Sequence, residues 1–411
     1  MFVYVRNKRG EALMPCSPAK ARLLLKQGKA KVVRRDPFTI QLLYGSSGYR
    51  QYGDAGQDAG YKHAAVSVTT AGKELLSIEA EVRTDVPKRL AKRREQRSAR
   101  RSRKPRHRES RIDNRANSME KGCLTPSQEG RIEAHLYLLK LAASLVPIRS
   151  VSIEGGPFDI AKLKNPNIKG VEYCNGEQKG SPNVKAYVKW RDGYECQICH
   201  GKSGDKHLQP HHIESRLTGG DAPNNLVTMC ETCHKAYHDK KIKISLKRGK
   251  SYKDAAAMNT VYKRLVKRAQ AIFPSIPVTM TFGYVTAVAR KRVGLEKSHR
   301  NDAFCIAGNL DAERCDTFLQ MKKVRRHNRQ IHAEQFSKGG TRKMKSAPYE
   351  VFGFRMYDKV RVEGQEMFII GRRMKGSFVL QDLSGKRMER THKKLELISK
   401  RTGWLCETHK A

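Results

Sequence analysis

The residues best placed to do chemistry fall between Cys196 and His238. Cys196 and Cys199 form one C-x2-C pair, and Cys230 and Cys233 form a second. Each tight turn can point two sulfurs at one ion, so four thiolates in two such knuckles suit a closed tetrahedral zinc site. Between the knuckles lie His211, His212 and Asn225, and His234 follows the second pair directly. Imidazoles can act as general bases or hold a metal. A phosphodiester hydrolase needs both a base to activate water and a hard cation to offset charge on the phosphate.

The order His-His, Asn, His resembles the HNH nucleases, whose β-hairpin and helix grip one divalent metal. The resemblance implies roles. His212 would be the base, His211 and His234 would bind magnesium, and Asn225 would orient the base or join the metal. His238 is an additional candidate. A plain zinc ribbon would account for the cysteines but not for this histidine and asparagine set.

The chain has 411 residues, room for two to four domains. Its 83 Lys and Arg against 40 Asp and Glu leave a formal charge of +43. Such an excess repels itself in a compact fold and fits a polyanionic partner whose counterions are released on binding. No run of about 18 apolar residues marks a membrane span, and MFVYVRNKRG lacks the apolar core of a signal peptide. The cysteines outside the knuckles are scattered, with no framework spacing, so a reducing cytoplasm is expected.

Along the chain, FVYV reads as a strand, ALMP as a turn and SPAKARLLLKQGKA as a helix capped by Ser17, opened by Pro18 and ended near Gly28. KVVRR and FTIQLLY read as further strands. The Gly- and Tyr-rich run 45–60 reads as a linker or strained loop. Asp58 then precedes a strand of small and β-branched residues, with a turn at 71–73 and a second strand, ELLSIEAEV. Residues 88–111 hold 13 Lys or Arg against two Glu, with little apolar beyond Leu90. They read as an arginine-rich helix that orders fully on nucleic acid, through Arg89, Arg93, Arg94, Arg97, Arg100, Arg101, Arg103 and Arg106. SQEGRIEAHLYLLKLAASLV reads as an amphipathic helix with one face on a sheet, and VSIE as a buried strand ending on Glu154. A carboxylate there is costly unless it binds something. After the zinc module come a basic helix (251–274), a strand, Gly283 and a helix. In KSHRNDAFCIAG, His299 and Asp302 are neighbours on one helical face. The last 75 residues read as short strands with turns at Gly364, Gly376 and Ser384-Gly385, suggesting a small β-barrel.

Asp58, Glu154, His299 and Asp302, with a basic helix after the first and the Cys-His module between the second and third, resemble the IscB family. These are transposon-encoded RNA-guided endonucleases, compact relatives of the type II CRISPR effector nucleases. ALMP resembles the family's P-L-M-P motif, with Ala12 for the first proline. DAGYKH, IEGGPFDIAKLKNP and KSHRNDAFCIAG resemble its three RuvC motifs, and VFGFRMYDKVRVEGQEMFIIGRR its C-terminal domain. Asp54 also stands in a D-A-G, a rival register, and Gly56 and Gln57 replace an apolar strand. The K-H spacing favours Asp58.

The resemblance implies an α/β fold: a split RNase H-like (RuvC) core, an inserted ββα-metal HNH module, an N-terminal small α+β module and a C-terminal small β-barrel. The implied segments are a PLMP-like module (1–46), RuvC I (47–84), a bridge helix (85–115), RuvC II (116–182), HNH (183–250), RuvC III (251–335) and a domain reading a target-adjacent motif (336–411). Asp58, Glu154 and Asp302 would hold two magnesium ions and His299 would activate water, with a third magnesium in the HNH site and structural zinc in the thiolate site. Expected partners are a structured guide RNA and double-stranded DNA, with one protein copy in a ribonucleoprotein of the bacterial or archaeal cytoplasm, at the nucleoid. The HNH site would cut the guide-paired strand and the RuvC site the displaced strand. The competing classes are a stand-alone HNH endonuclease and a guided DNA-binding protein with weakened nuclease sites.

Overall fold

The computed structural model describes residues 2–45, 49–102, 123–156, 161, 164, 165, 167–169, 178–216, 220–242, 244–250, 252–325 and 348–411. The fold is mixed α/β. The chain forms two units, one of Met1–Thr84, Glu109–Pro157 and Ala257–Ala411, the other of Asp85–Arg108 and Phe158–Ala256.

The first unit opens with β1 (Val3–Arg6), β2 (Ala12–Cys16), α1 (Pro18–Lys26), β3 (Ala30–Arg34) and β4 (Thr39–Leu42), in the sheet order β2-β1-β4-β3. The Ser17 hydroxyl accepts the Lys20 amide and Pro18 occupies the first turn of α1, where its missing N–H costs nothing. ALMP is not a turn. It pairs with β1 as an edge strand, which tolerates Pro15 because an edge leaves one row of backbone donors unused.

A seven-stranded sheet follows. Its strands are β5 (Gly53–Ala59), β6 (His63–Thr69), β7 (Glu74–Glu81), β8 (Ile148–Glu154), β11 (Val278–Thr281), β12 (Thr317–Lys323) and β20 (Trp404–Lys410), in the order β11-β8-β5-β6-β7-β12-β20. The run expected as a loop up to residue 60 thus contains an interior strand. Helix α3 (Pro126–Leu145) packs its residues into the core around much of its circumference, Ile132, Leu136, Leu139 and Leu145 among them, rather than along one stripe. Thr125 caps it in a capping box with Gln128.

The second unit carries α2 (Val86–Ser102), α4 (Val184–Arg191), the antiparallel pair β9 (Leu208–His212) and β10 (Leu226–Cys230), and α5 (Glu231–His238). Helix α6 (Lys253–Ile272) leads back to the first unit. There α7 (Gly283–Arg292) and α8 (His299–Ala307) precede β12.

Near the C-terminus a β13 (Glu350–Val351) and β14 (Phe354–Arg355) ribbon precedes β15 (Lys359–Val362), β16 (Gln365–Arg372), β17 (Ser377–Gln381), β18 (Arg387–Thr391) and β19 (Glu396–Ser399). These five form an antiparallel sheet, β18-β17-β16-β15-β19, around Val360, Ile369, Phe378 and Leu380. Among the described residues its edge strands do not pair, so the expected barrel is an open sheet. The chain then leaves it. β20 runs antiparallel to β12 and completes the large sheet, a return the local pattern did not reveal.

Candidate active sites

Two clusters of chemical groups stand out, one in each unit. In the second unit the four cysteine sulfurs lie within 4.8 Å of one another. The Cys199 and Cys230 sulfurs are 3.8 Å apart, which matches the edge of a tetrahedron whose metal–sulfur bonds are about 2.3 Å. The cysteines are free of disulfides. The Ser203 hydroxyl lies 3.3 Å from Cys199 Sγ and 3.2 Å from Cys230 Sγ, and the Cys233 amide donates to Cys230 Sγ. The Ser203 contact holds the Cys199 thiol down to about 6, whereas burial pushes Cys233 up. Clustered soft donors of this kind fit zinc, which would deprotonate the remaining thiols. Asp205 fixes the knuckles by accepting from the Thr232 amide and hydroxyl and from the His207 amide.

Beside this site the hairpin sets the histidines. His212 pairs with Leu226, and His211 with Val227. His211 joins His234 and His238 of α5, with ring nitrogens within 4.8 Å of one another. His234 and His238 are one turn apart on the same helical face, which is why both reach the cluster. Burial, then the neighbouring imidazoles, lowers His211 to about 4, and burial with His238 lowers His234. Three ring nitrogens gathered this closely could hold a metal ion. The additional candidate His238 therefore stands with the other two.

His212 faces Asp221, with Nε2 2.9 Å from Oδ1, and Arg216 pairs with the other oxygen of the same carboxylate. The contact places the Nε2 proton toward Asp221 and leaves Nδ1 as the basic nitrogen. Asp221 gave no signal in the sequence, since an Asp in a loop is ordinary. Asn225, expected to orient the base or join the metal, is engaged with the loop backbone. Its buried amide accepts from the Glu214 N–H (2.9 Å) and donates to the Glu214 and Gly220 carbonyls (3.0 and 2.9 Å). It closes the loop that carries Asp221, the carboxylate that faces His212.

The first unit gathers the carboxylates. β5 and β8 run parallel with Asp58 opposite Glu154, and β11 sets Thr281 on the other side of Glu154. Both acids stand at the carboxyl ends of parallel strands. Helix α8 brings His299 and Asp302 from above; Ser298 caps it by accepting the Asn301 amide. His299 Nδ1 lies 2.6 Å from Asp58 Oδ2, and the imidazole stacks on His63 at 5.1 Å. The hydrogen bond to Asp58 raises the His299 pKa against burial.

Burial raises Glu154, and repulsion from Asp58 and Asp302 adds to it against the Thr286 hydroxyl. Its Oε2 is buried without a hydrogen-bond partner. Burial and repulsion from Asp58 likewise raise Asp302, although Arg290 pairs with it at 2.8 Å. An orphaned carboxylate oxygen among mutually repelling acids is what a hard cation relieves, so the residues present fit magnesium. Unlike the cysteines and histidines, the three carboxylates do not close to within 4.8 Å of one another among the described residues. Arg290 and Thr286 were not anticipated; both sit on α7, which the sequence marks only as a helix after Gly283.

The rival Asp54 is committed elsewhere. Arg149 donates to both its oxygens (2.8 and 2.6 Å), with Ser150 (2.6 Å) and Asn309 (3.0 Å) completing the set. The Arg149 contact holds it down to about 2. The two non-apolar residues directly before Asp58 also have reasons. A Cβ on Gly56 would lie 2.2 Å from the Ala303 carbonyl and 2.3 Å from the Ala307 amide, so glycine lets α8 rest on the strand. Gln57 points to the opposite face and donates to the His135 carbonyl at 3.1 Å.

In the basic segment, α2 exposes Arg93 and Arg94, and Leu90 is 55% exposed, so these residues bury no apolar stripe. Arg89 pairs with Asp85. Arg97, Arg100 and Arg101 lie on the helix, in the stretch whose side chains are outside the description, and Arg103 and Arg106 lie outside the described residues, as does most of IEGGPFDIAKLKNP after Gly156. Among the described residues no helix is long and apolar enough to cross a membrane.

Comparison with known proteins matches residues 3–176 to the family described as RRXRR protein and residues 196–240 to HNH endonuclease. No curated protein matches. Among solved structures, Streptococcus thermophilus Cas9 in complex with the AGAA PAM is 13% identical, with a TM-score of 0.32 over 55% of this chain and 32% of that one. The type II-C Cas9 of Actinomyces naeslundii is 15% identical, with a TM-score of 0.17 over 47% and 33%. The chain spans about a third of the length of these structures. An RRXRR match followed by an HNH endonuclease match in one polypeptide, in the order of the motifs read from the sequence, makes this chain similar to IscB-like nucleases.

Proposed function

We propose that the protein is an RNA-guided, metal-dependent DNA endonuclease with two active sites: an HNH site for the guide-paired strand, and a RuvC-type site on an RNase H-like core for the displaced strand. The observation that carries it is the convergence of Asp58, Glu154, Asp302 and His299 on one side of the large sheet, in a chain that separately holds His212 beside a three-histidine cluster. One nuclease site would suffice for a simple nicking enzyme. Two of different chemistry suit the two strands of an opened duplex.

In the HNH site, His211, His234 and His238 would hold one divalent metal; their nitrogen donors suit a borderline transition ion better than the magnesium expected from the sequence. His212 accepts a proton from the attacking water at Nδ1, while Asp221 keeps the ring oriented and steadies the imidazolium that forms. In the RuvC-type site, Asp58, Glu154 and Asp302 would hold two magnesium ions. His299, its Nδ1 proton turned to Asp58, offers Nε2 to water. Bound magnesium would offset charge on the scissile phosphate and lower the pKa of its water. Zinc in the four-cysteine site would hold the knuckles that carry the hairpin. The +43 charge and the arginines of α2, including Arg89, Arg93 and Arg94, would grip a structured guide RNA.

Strand-resolved cleavage tests the assignment. His212→Ala is expected to nick only the displaced strand and Asp58→Ala only the guide-paired strand. Either variant still cutting both strands at the parental rate would overturn the site it lacks.

A further inference from the structure

Glu74 is a buried carboxylate that neither nuclease site uses; it is 2% exposed. It opens β7 and lies opposite Thr69, which in turn pairs with Asp54, so it stands at the far end of the sheet from Asp58. A carboxylate taken out of water is costly unless its oxygens are engaged. Both are. The Ser67 hydroxyl donates to Oε1 at 2.6 Å, and Arg314 Nε and the Cys315 amide donate to Oε2 at 2.8 and 3.1 Å.

The pair with Glu74 does not use up Arg314. Its Cζ lies over the Phe304 ring, 4.3 Å from the centroid, and its Nη1 donates to Asn301 Oδ1 at 2.9 Å. Asn301 stands between His299 and Asp302 in the first turn of α8. It also closes the loop before that helix: its Nδ2 donates to the Glu296 carbonyl at 2.8 Å and its amide to the Ser298 hydroxyl at 3.2 Å. Arg290, the partner of Asp302, donates to the neighbouring Leu295 carbonyl at 3.3 Å. A lysine would neutralise Glu74 equally well. What arginine adds is a rigid planar fork that holds two acceptors at a fixed separation. One acceptor here belongs to a strand of the sheet, the other to the turn that carries the catalytic pair. Gly56 sets how closely α8 lies on β5, but a contact of that kind leaves the helix free to turn about its own axis. Such a turn would swing His299 and Asp302 sideways over Asp58 and Glu154.

We propose that Glu74, Arg314 and Asn301 are positioning residues of the carboxylate site, a bracket that ties the first turn of α8 to β7 and fixes where His299 and Asp302 stand. The functional part of the proposal rests on the RuvC-type reading of that site; the bracket itself rests on the contacts alone.

The test uses the full-length protein with its co-purified RNA. Arg314→Lys keeps a cation for Glu74 and removes the second edge of the fork. Asn301→Ala leaves Glu74 and Arg314 paired and removes the link to α8. Both should melt close to the parent. Both should nick the displaced strand about tenfold more slowly at saturating DNA, with the half-saturating DNA concentration and HNH nicking within about twofold of the parent. Amide hydrogen exchange over residues 299–303 should quicken in both. Parental nicking by Arg314→Lys would overturn the positioning role. Parental nicking by Asn301→Ala, beside an Arg314→Lys that melts lower, would overturn it too, because Glu74 and Arg314 then serve stability alone. Asp58→Ala separates the two claims. Displaced-strand nicking that survives Asp58→Ala counts against the RuvC-type reading, while quickened exchange in the two variants still upholds the bracket. Unchanged exchange in both variants would overturn the bracket whatever the nicking shows.

Discussion

Gly56→Ala should disable one nuclease site and spare the other. The new Cβ would stand 2.2 Å from the Ala303 carbonyl oxygen and 2.3 Å from the Ala307 amide. Both are backbone atoms of α8, so no rotamer change relieves the clash. Restoring an ordinary 3.4 Å contact requires the helix to lift by about 1.2 Å. Strain of this kind costs about 1–3 kcal/mol, which lowers stability without unfolding a large domain. The helix carries His299 and Asp302, and catalytic groups tolerate only about 0.5 Å of displacement. A shift near 1 Å costs on the order of 100-fold in rate. The assay is strand-resolved cleavage beside thermal melting. RuvC-type nicking should fall about 100-fold with a modest drop in Tm, while HNH nicking by the same preparation stays within about twofold. Parental rates on both strands would refute the claim that the seating of α8 on β5 sets the site.

Other expectations follow from the remaining contacts. Asp54→Asn should lower stability by about 2 kcal/mol, since a carboxylate bound by Arg149, Ser150 and Asn309 is replaced, whereas Asp58→Asn should leave Tm nearly unchanged and abolish RuvC-type nicking. Because the folded pKa of Asp54 is depressed to about 2 from an ordinary 3.8, its contribution is present above about pH 4 and lost as pH falls toward 2. Denaturation of the parent and of Asp54→Asn should therefore differ at pH 6 and converge near pH 2; a constant difference would contradict the ion pair. Asp221→Ala should slow HNH nicking roughly 10–100-fold without loss of fold, and an unchanged rate would remove Asp221 from the base's support. Removing zinc with a tight chelator should expose the hairpin to proteolysis within 183–250 and stop HNH nicking; protection unchanged after verified metal loss would contradict a structural role for the thiolate site.

The sequence carried the second-unit site well because its ligands are tethered locally. Two knuckles, a His pair and a helix starting at Cys230 leave few geometries, and His234 and His238 share a face by helical period alone. What it missed there, Asp221 and the looping role of Asn225, depends on how one loop folds back on the hairpin. The carboxylate site was legible only by motif. Asp54 and Asp58 are equivalent to local inspection, and what separates them arrives from Arg149 and Asn309, 95 and 255 residues away. Gly56 and Gln57 read as defects in an apolar strand because their partners, α8 and the His135 carbonyl, are likewise remote. The same reason hid β20, whose pairing with β12 is a long-range event. ALMP misled through Pro15, which an edge strand accepts and an interior strand does not.

The measurement that bears most directly on the central claim is to sequence the RNA that co-purifies with the protein expressed beside its native flanking DNA, and to offer the purified complex a duplex matching that RNA's variable end. The account predicts one dominant structured RNA and magnesium-dependent cutting of both strands that moves when the variable segment is rewritten. DNA cutting that persists after RNase treatment and ignores the RNA sequence would contradict it and leave a stand-alone HNH endonuclease.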